Sequence, residues 1–389
     1  MTRDAFALDP AVVHLNHGSF GAVPRAVTQA QARVRARAEA NPMRFHRVEV
    51  PRLKSAAREV AAEFLGVAAD DVALVRNVTQ AAATVLTSVA SHDGLTAGDV
   101  IVLTDQTYGS VHQLVRRTCE RTSASYEIID CPVGAADDTV VSAYRATLDR
   151  LRADGLRPRL VMLDEVASPT AAVMPVRRIC AAAREAGAYS FVDGAHAPGQ
   201  VPARPADTGA DFWTGTWHKW VFAPRGTTVL WAAPGVRSRL APLASGMPPG
   251  TEYPVPFDYT GTDDYTGWFV LAAAVEFWND HGGPDIAARC SDLLDKGEAV
   301  VRAGLATSDA PVPAVSAPCM RLVPLPGAAA ATPFAANALY ERLSARGYEA
   351  QIVSHGGHGF VRLSASLYNE PADYERFAQI LPEALVLNA

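Results

Sequence analysis

The chain has 389 residues, 49% of them hydrophobic and 20% charged, which is enough for two domains with a substantial buried core. Its formal net charge of −6 is opposite in sign to the basic surplus of nucleic-acid-binding domains. The N-terminus, MTRDAFALDPAVVHLNHG, lacks the pattern of a signal peptide, and no apolar run has the length of a membrane span. We therefore expect a cytoplasmic protein that binds neither nucleic acid nor a membrane.

The cysteines are scattered along the chain and form no CxxC pair: they are Cys119, Cys131, Cys180, Cys290 and Cys319. This pattern is unlike a structural zinc site or a disulfide framework and fits reduced thiols. We predict no metal site.

Strand-like and helix-like segments alternate through the middle of the chain. The predicted strands are DVIVLTDQTY (99–108), RLVMLDEVAS (159–168), AYSFVDGAH (188–196) and TTVLWAAP (227–234), with helix-like GSVHQLVRRTCER and PVRRICAAAREAG between them. Such alternation predicts a mostly parallel sheet with helices on both faces. Ligands bind such sheets at the carboxyl ends of the strands, so the residues after each apolar run are the candidates for chemistry.

A second region follows the proline- and glycine-rich stretch 242–265. A long helix is predicted from Trp268 to Asn279, and helix-like FAANALYERLSARGY and strand-like GFVRLSAS predict a smaller α/β unit. We predict an N-terminal segment, 1–25, that packs on the small domain, a large domain at 26–260 and a small domain at 261–389.

Polar residues precede the helical run in LVRNVTQAAATVLTSVA, namely Asn77, Thr79 and Gln80. Thr79 is predicted to be the N-cap, and the free N–H groups at a helix start attract a phosphate. The alternative is that Thr79 only caps the helix.

Asp193 ends a predicted strand in FVDGAH, and a carboxylate buried there needs a cation or a donor, although a turn-forming aspartate has the same pattern. Lys219 lies between His218 and Trp220, with no carboxylate from residue 212 to residue 226. Desolvation would lower the pKa of Lys219 and enrich the nucleophilic neutral amine. The alternative is a lysine whose stem packs on tryptophan while its amine stays in water.

Arg362, in GFVRLSASLYN, is predicted to clamp a carboxylate, with an ordinary ion pair as the alternative. His355 and His358, in SHGGHGF, are either acid/base groups at a substrate entrance or part of a polar turn. A phosphate cradle, an acid, an amine and a carboxylate clamp at strand ends together predict a site for pyridoxal 5′-phosphate (PLP).

Several segments, HLNHGSFGAVPRAV, RNVTQA, VDGAHAPGQV, TGTWHKW, APRGTTVLW and VRLSASLYN, resemble the class V aminotransferase family of fold-type I PLP enzymes, and within it the isopenicillin N epimerase-like branch. The resemblance covers nearly the whole chain. It implies an α/β fold, PLP-dependent transferase fold type I, with a large domain around a mostly parallel central sheet and a smaller C-terminal α/β domain. It also implies a homodimer with shared active sites.

The resemblance further implies roles for single residues. Lys219 would form the imine with the cofactor, Asp193 would pair with the ring nitrogen, and His196 would contact the phenolic oxygen. Asn16 and Arg362 would bind the α-carboxylate of the substrate. Ser168 would lie in a loop over the cofactor, with no chemical role. The remaining predicted cofactor ligands are Tyr108, which would stack on the ring, Asn77, Thr79, Gln80, Thr216 and His218, which would surround the phosphate, and Thr262, which with Gly261 would reach the phosphate of the neighbouring subunit.

The reaction is expected to break a bond at Cα of an amino acid. By analogy with the branch, we favour β-elimination with carbon–sulfur cleavage of a cysteine-type conjugate in secondary metabolism, such as antibiotic biosynthesis. Epimerisation, decarboxylation with deamination, and transamination stay open, and a non-catalytic binding module is a remote alternative. A persulfide-forming desulfurase is disfavoured, because EAQIVSHGGHGF, the segment before Arg362, has no cysteine and Cys319 is predicted to start a strand.

Overall fold

A computed structural model describes residues 3–248, 250–306 and 308–386. The helices are α1 (Arg25–Ala40), α2 (Pro42–Arg44), α3 (Val50–Leu65), α4 (Val78–Asp93), α5 (Gly109–Thr122), α6 (Asp137–Ala153), α7 (Val176–Glu185), α8 (Pro205–Thr208), α9 (Leu271–Asp280), α10 (Asp285–Ala303), α11 (Pro333–Ser344) and α12 (Pro371–Val386). The strands are β1 (Val13–His14), β2 (Val72–Val75), β3 (Asp99–Thr104), β4 (Ser125–Ile129), β5 (Arg157–Asp164), β6 (Tyr189–Gly194), β7 (Phe212–Thr216), β8 (Thr228–Ala232), β9 (Met320–Pro324), β10 (Tyr348–Glu349), β11 (Gln351–His355) and β12 (His358–Ser364).

The central sheet has seven strands in the order β2-β8-β7-β6-β5-β3-β4. Strands β4, β3, β5, β6 and β7 are parallel, and β8 pairs antiparallel with both β7 and β2. Every residue of β3, β7 and β8 is buried, so these strands have no solvent-exposed face that would require alternating polar residues. The predicted α/β fold with a mostly parallel central sheet is confirmed.

The predicted strands overrun the observed ones at their carboxyl ends. Strand β3 ends at Thr104, where the N–H of Thr107 donates to the Thr104 carbonyl, and β6 ends at Gly194, whose carbonyl accepts from Ala197. These polar segments leave the ladder and form turns, which brings their side chains to one edge of the sheet. The predicted long helix starts as a 3₁₀ turn, Trp268–Val270, and continues as α9.

A smaller antiparallel sheet, β11-β12-β9, lies against α10 and α11. The N-terminal β1 pairs in parallel with β10, and α9 packs against α1 and α3. The division into residues 1–25, 26–260 and 261–389 stays a prediction, and residues 1, 2 and 387–389 of those ranges lie outside the described residues. In the described ranges, no helix combines the length and apolarity needed to cross a bilayer.

Candidate active site

Two aspartates lie side by side at the carboxyl edge of the sheet. Asp164 ends β5 and is the register partner of Asp193 on the neighbouring parallel strand β6. Both carboxylates are buried, and Asp193 accepts a hydrogen bond from the N–H of Ala195 at 2.9 Å. Burial raises the pKa of Asp193 to about 6, while that N–H and the nearby Lys219 act in the opposite direction. A cation placed next to Asp193 would therefore stabilise the ionised carboxylate and lower its pKa.

Lys219 lies in the turn after β7, close to Asp193. Its Nζ is 3.0 Å from Nε2 of His196, and the neighbouring Trp217 and Trp220 are buried. Desolvation lowers the pKa of Lys219 to about 7, although the Asp193 carboxylate raises it. The amine is thus partly shielded from water, so a large neutral fraction exists near neutral pH. This placement favours a partly buried amine over a side chain that extends into water.

Two neutral imidazoles accompany the amine. Burial and Lys219 lower the pKa of His196 well below its usual value, and the same causes lower the pKa of His218 to about 3. Nδ1 of each ring is buried and has no hydrogen-bond partner among the described residues. Thr216, at the end of β7, donates from its hydroxyl to the Ala195 carbonyl at 2.7 Å.

The N-terminus of α4 corrects one prediction, because the N-cap is Asn77 and not Thr79. The Asn77 side chain accepts the N–H of Gln80 at 2.8 Å, and the Gln80 side chain in turn accepts the N–H of Arg76 at 2.9 Å. Asn77 has the extended backbone of a cap, whereas Thr79 is already inside the first turn. No partner in the described chain accepts the N–H groups of Val78 and Thr79, which leaves them available to an anion.

Tyr108 is the N-cap residue of α5 and is 43% exposed, which leaves its ring free to cover a ligand. Its backbone N–H donates to the buried Asp164 carboxylate, whose pKa is raised by burial and by Asp193. Sequence reasoning missed Asp164, because the predicted strand extended to Ser168 and made the aspartate an interior residue. The signal was present, since a carboxylate directly after RLVML is costly inside a sheet.

Glu165, the next residue, was also missed. Its Oε2 accepts the indole N–H of Trp213 at 2.8 Å, and burial raises the pKa of Glu165 to about 7. The Trp213 indole lies across two glycines, since a Cβ at Gly194 would be 2.5 Å from the ring and one at Gly215 would overlap it. This contact fixes β6 directly after Asp193.

Arg362, on β12, is buried among neutral oxygen atoms. Its Nη1 donates to the Ser168 carbonyl, and Nη2 donates to Asn16 Oδ1 at 3.3 Å and to Ser19 Oγ at 3.2 Å. Burial alone lowers the pKa of Arg362 to about 10, and no carboxylate pairs with it among the described residues. The ordinary ion pair is therefore absent there, and a buried cation without a counter-ion suits a substrate carboxylate. Ser168, predicted to have no role, and Ser19, not predicted, both hold the guanidinium.

The remaining candidates form no hydrogen bond with Lys219 among the described residues. Thr262 is exposed, in a loop held by ion pairs of its neighbours Asp263 and Asp264 with Arg76 and Arg35. No hydrogen bond joins Thr262 to the other predicted ligands in the described part of the chain.

His355 and His358 flank the glycine turn of the β11–β12 hairpin, and His355 Nε2 is 3.4 Å from Asp105 Oδ2. Cys319 is buried directly before β9, as the sequence predicted. Within the described residues, no group of three or more metal-binding side chains occurs.

The residues present fit PLP. The site offers a partly buried amine, a carboxylate beside it, free N–H groups at a helix start and buried polar atoms that lack partners among the described residues, including Nδ1 of His196, Nδ1 of His218 and Nε of Arg362. Each of these groups matches one part of the cofactor or a carboxylate of its substrate.

A family model, Aminotransferase class-V, matches residues 21–312. The chain belongs to the class-V aminotransferase family. Like its relatives it is a PLP-dependent enzyme, which agrees with the predicted cofactor.

The relatives of this chain carry different activities. The isopenicillin N epimerase of Streptomyces clavuligerus is 31% identical over 97% of this chain and 96% of its own. A putative L-cysteine desulfhydrase 1 of Oryza sativa subsp. japonica is 31% identical over 71% of this chain and 59% of its own. In fold, the chain is similar to a C-DES mutant with glycine covalently linked to its PLP cofactor, with a TM-score of 0.79 and 19% identity over 97% of this chain and 98% of the other.

Proposed function

We propose that this enzyme uses PLP to break a bond at Cα of an amino acid and to eliminate a sulfur leaving group from Cβ. The observation that carries this proposal is the partly buried amine of Lys219, whose electrostatic neighbours are the Asp193 carboxylate and the Arg362 guanidinium. A carboxylate suited to the ring nitrogen and a guanidinium suited to the substrate carboxylate thus lie near one amine.

The chain's own residues divide the work. Lys219 would hold PLP covalently, Asp193 would face its ring nitrogen, and the start of α4 with Thr216 and His218 would hold its phosphate. Bound there, PLP supplies a sink for the electron pair left when a bond to Cα breaks. The Lys219 amine can accept the Cα proton, because its pKa of about 7 keeps much of it neutral. His196 stays neutral and can accept a hydrogen bond from that amine.

Carbon–sulfur cleavage is favoured by the L-cysteine desulfhydrase relatives. In a β-elimination, the Cα proton and a thiolate leave the substrate, and water then converts the product to pyruvate and ammonia. No enzyme thiol is needed for this route. The free cysteines of the described chain are all buried, so the thiol would leave with the product and not be transferred to the enzyme.

Epimerisation is the second candidate, because the isopenicillin N epimerase relative matches nearly the full length of both chains. In that reaction, Lys219 would remove the Cα proton and a proton would return on the opposite face.

An experiment in D2O separates the candidates. The enzyme is incubated with cysteine, with thioether conjugates of cysteine, and with peptides that carry a free α-amino-acid group at one end. We expect pyruvate, ammonia and a free thiol in equal amounts from a cysteine-type substrate. Deuterium at Cα with loss of chirality and no pyruvate would indicate that the enzyme catalyses epimerisation and not elimination. Release of CO2, or conversion of the cofactor to its aminated form, would point to decarboxylation or transamination.

We also propose a homodimer, in which the exposed Thr262 reaches the phosphate site of the partner, and a cytoplasmic role in secondary metabolism such as antibiotic biosynthesis. The free, buried cysteines support the cytoplasmic location, because such thiols suit a reducing compartment.

Replacing Arg362 by leucine should mainly damage the use of carboxylate-bearing substrates. The loss of a buried charge-assisted contact costs about 2–5 kcal/mol, so kcat/KM should fall by about 30- to 5,000-fold. Steady-state kinetics would compare each substrate with its decarboxylated analogue, which should lose little. Arg321→Leu, on the adjacent strand β9, is the control, since Arg321 pairs with Asp295. An equal loss for both substrate types would contradict the role of Arg362.

A further inference from the structure

His17 connects three separate parts of the chain. It lies in the N-terminal segment, is 1% exposed, and its Nε2 is 2.8 Å from the main-chain carbonyl oxygen of Lys219. Its Nδ1 is 3.1 Å from the Tyr368 hydroxyl and 3.4 Å from the N–H of Ala22. Both ring nitrogens of a fully buried imidazole are therefore used.

These partners allow only one tautomer. A carbonyl oxygen only accepts, so Nε2 must carry the hydrogen, and Nδ1 then accepts from Tyr368 and Ala22. Burial raises the pKa of Tyr368, which keeps its hydroxyl as a donor, and burial lowers the pKa of His17 to about 4. The imidazole is therefore neutral and has a fixed orientation near neutral pH.

The Lys219 carbonyl belongs to a buried turn and accepts one other hydrogen bond among the described residues. Within the turn it accepts the N–H of Phe222 at a longer 3.4 Å, and Phe222 has a left-handed φ of 60°. On the other side, Gly21 lies so close that a Cβ there would overlap the His218 carbonyl and approach the Lys219 carbonyl to 3.0 Å. The short contact from His17 is therefore the stronger hydrogen bond to this carbonyl.

The main chain of His17 is also tied to the strand that carries Arg362. The main-chain N–H of His17 donates to the Ser364 hydroxyl at 2.7 Å, and the N–H of Ser364 donates to the Leu15 carbonyl at 2.8 Å. Ser364 is the last residue of β12, two positions after Arg362. Through His17, the strand of the carboxylate-binding arginine contacts the main chain of the reactive lysine.

We propose that His17 is a positioning residue that holds the Lys219 main-chain carbonyl and thereby sets the place of the Lys219 amine relative to Arg362. This inference rests on the proposed role of Lys219. It assigns His17 no contact with substrate or cofactor.

Two variants test the hydrogen bond, and both are measured as PLP-loaded protein. His17→Leu fills the space without a donor, and we expect kcat to fall by about 10- to 100-fold with little change in KM, because a small displacement of a reacting group is costly. The pH midpoint of the cofactor's visible absorbance should shift with it by about one unit. His17→Gln restores a donor N–H at the position of Nε2, and we expect both values to return close to those of the natural protein.

A matched control and a third variant complete the experiment. His14→Leu removes an imidazole that also faces the Tyr368 ring, at a centroid distance of 6.4 Å, and should leave kcat and the pH midpoint unchanged. Tyr368→Phe keeps the imidazole but removes the donor to Nδ1, and should give a smaller shift in the same direction even if His17→Leu fails to fold.

Two results would overturn the inference. One is a folded His17→Leu variant with the kcat and pH midpoint of the natural protein. The other is a His17→Gln variant whose kcat falls as much as that of His17→Leu while its pH midpoint stays unchanged. If His17→Leu does not fold, an unchanged Tyr368→Phe would overturn it too. Borohydride reduction of the natural protein separates this failure from a failure of the proposed function. Cofactor bound to Lys219 would support the proposed function whatever the result for His17. Cofactor bound elsewhere would contradict both the proposed function and the proposed role of His17.

Discussion

Replacing Lys219 by alanine is expected to abolish turnover, with a loss of about 10⁴-fold or more, because the covalent anchor and the proposed proton acceptor disappear together. The variant should still bind PLP loosely through the other groups, since Asp193 and the start of α4 remain. Activity is measured with the substrate found in the D2O experiment, and bound cofactor by its visible absorbance. Lys296→Ala is the control, because Lys296 is exposed on α10.

Chemical trapping locates the anchor independently of activity. The lysines of the chain are Lys54, Lys219 and Lys296, so the peptides that could carry the label are few. We expect borohydride to fix the cofactor to the peptide with Lys219. Label on Lys54 or Lys296 alone, or a Lys219→Ala variant with full activity, would reject the site described above.

Changing Asp193 should weaken both cofactor binding and the electron sink. Asp193→Asn keeps the shape and removes the charge, and Asp193→Ala removes both. Stabilising charge that develops in the transition state is worth about 3–4 kcal/mol at one group, so we expect kcat to fall by about 10²- to 10³-fold in each variant. The visible spectrum should change as well, because the ring nitrogen would lose its proton.

Glu165→Gln is the matched control for the Asp193 variants. Glu165 is also a buried carboxylate, and it directly follows β5, the strand that pairs with β6. Its amide oxygen can still accept the Trp213 N–H, so kcat and the spectrum should change little. Full activity of Asp193→Asn with a natural spectrum would contradict the proposed contact with the ring nitrogen.

The parts of the site that could be predicted are those that depend only on residues adjacent in the sequence. Lys219 stood out because its neighbours are aromatic or apolar, and Asp193 because it ends an apolar run. The alternation of strands and helices was also sufficient to predict a mostly parallel sheet. In each case the physical cause acts over a few residues, so the chain order alone reveals it.

The parts that failed depend on where a strand ends or on contacts between distant segments. Asp164 was hidden because apolar patterning does not mark the residue at which a strand leaves the sheet. Thr79 was predicted as the N-cap because threonine and asparagine both cap helices, and only the backbone shows that Asn77 is extended. His17 could not be found, since its partners, Lys219 and Tyr368, are brought to it by folding alone.

The Trp213 indole, held by Glu165 and pressed on Gly194 and Gly215, also bears on how such a protein can diverge. Neither glycine can gain a side chain without displacing the ring, so these two positions beside Asp193 have almost no freedom to vary. Evolutionary change is left to residues outside this contact, such as the exposed Tyr108 and the turn of the β11–β12 hairpin. A lineage could therefore exchange one amino-acid reaction for another while the strand under the cofactor site stays the same.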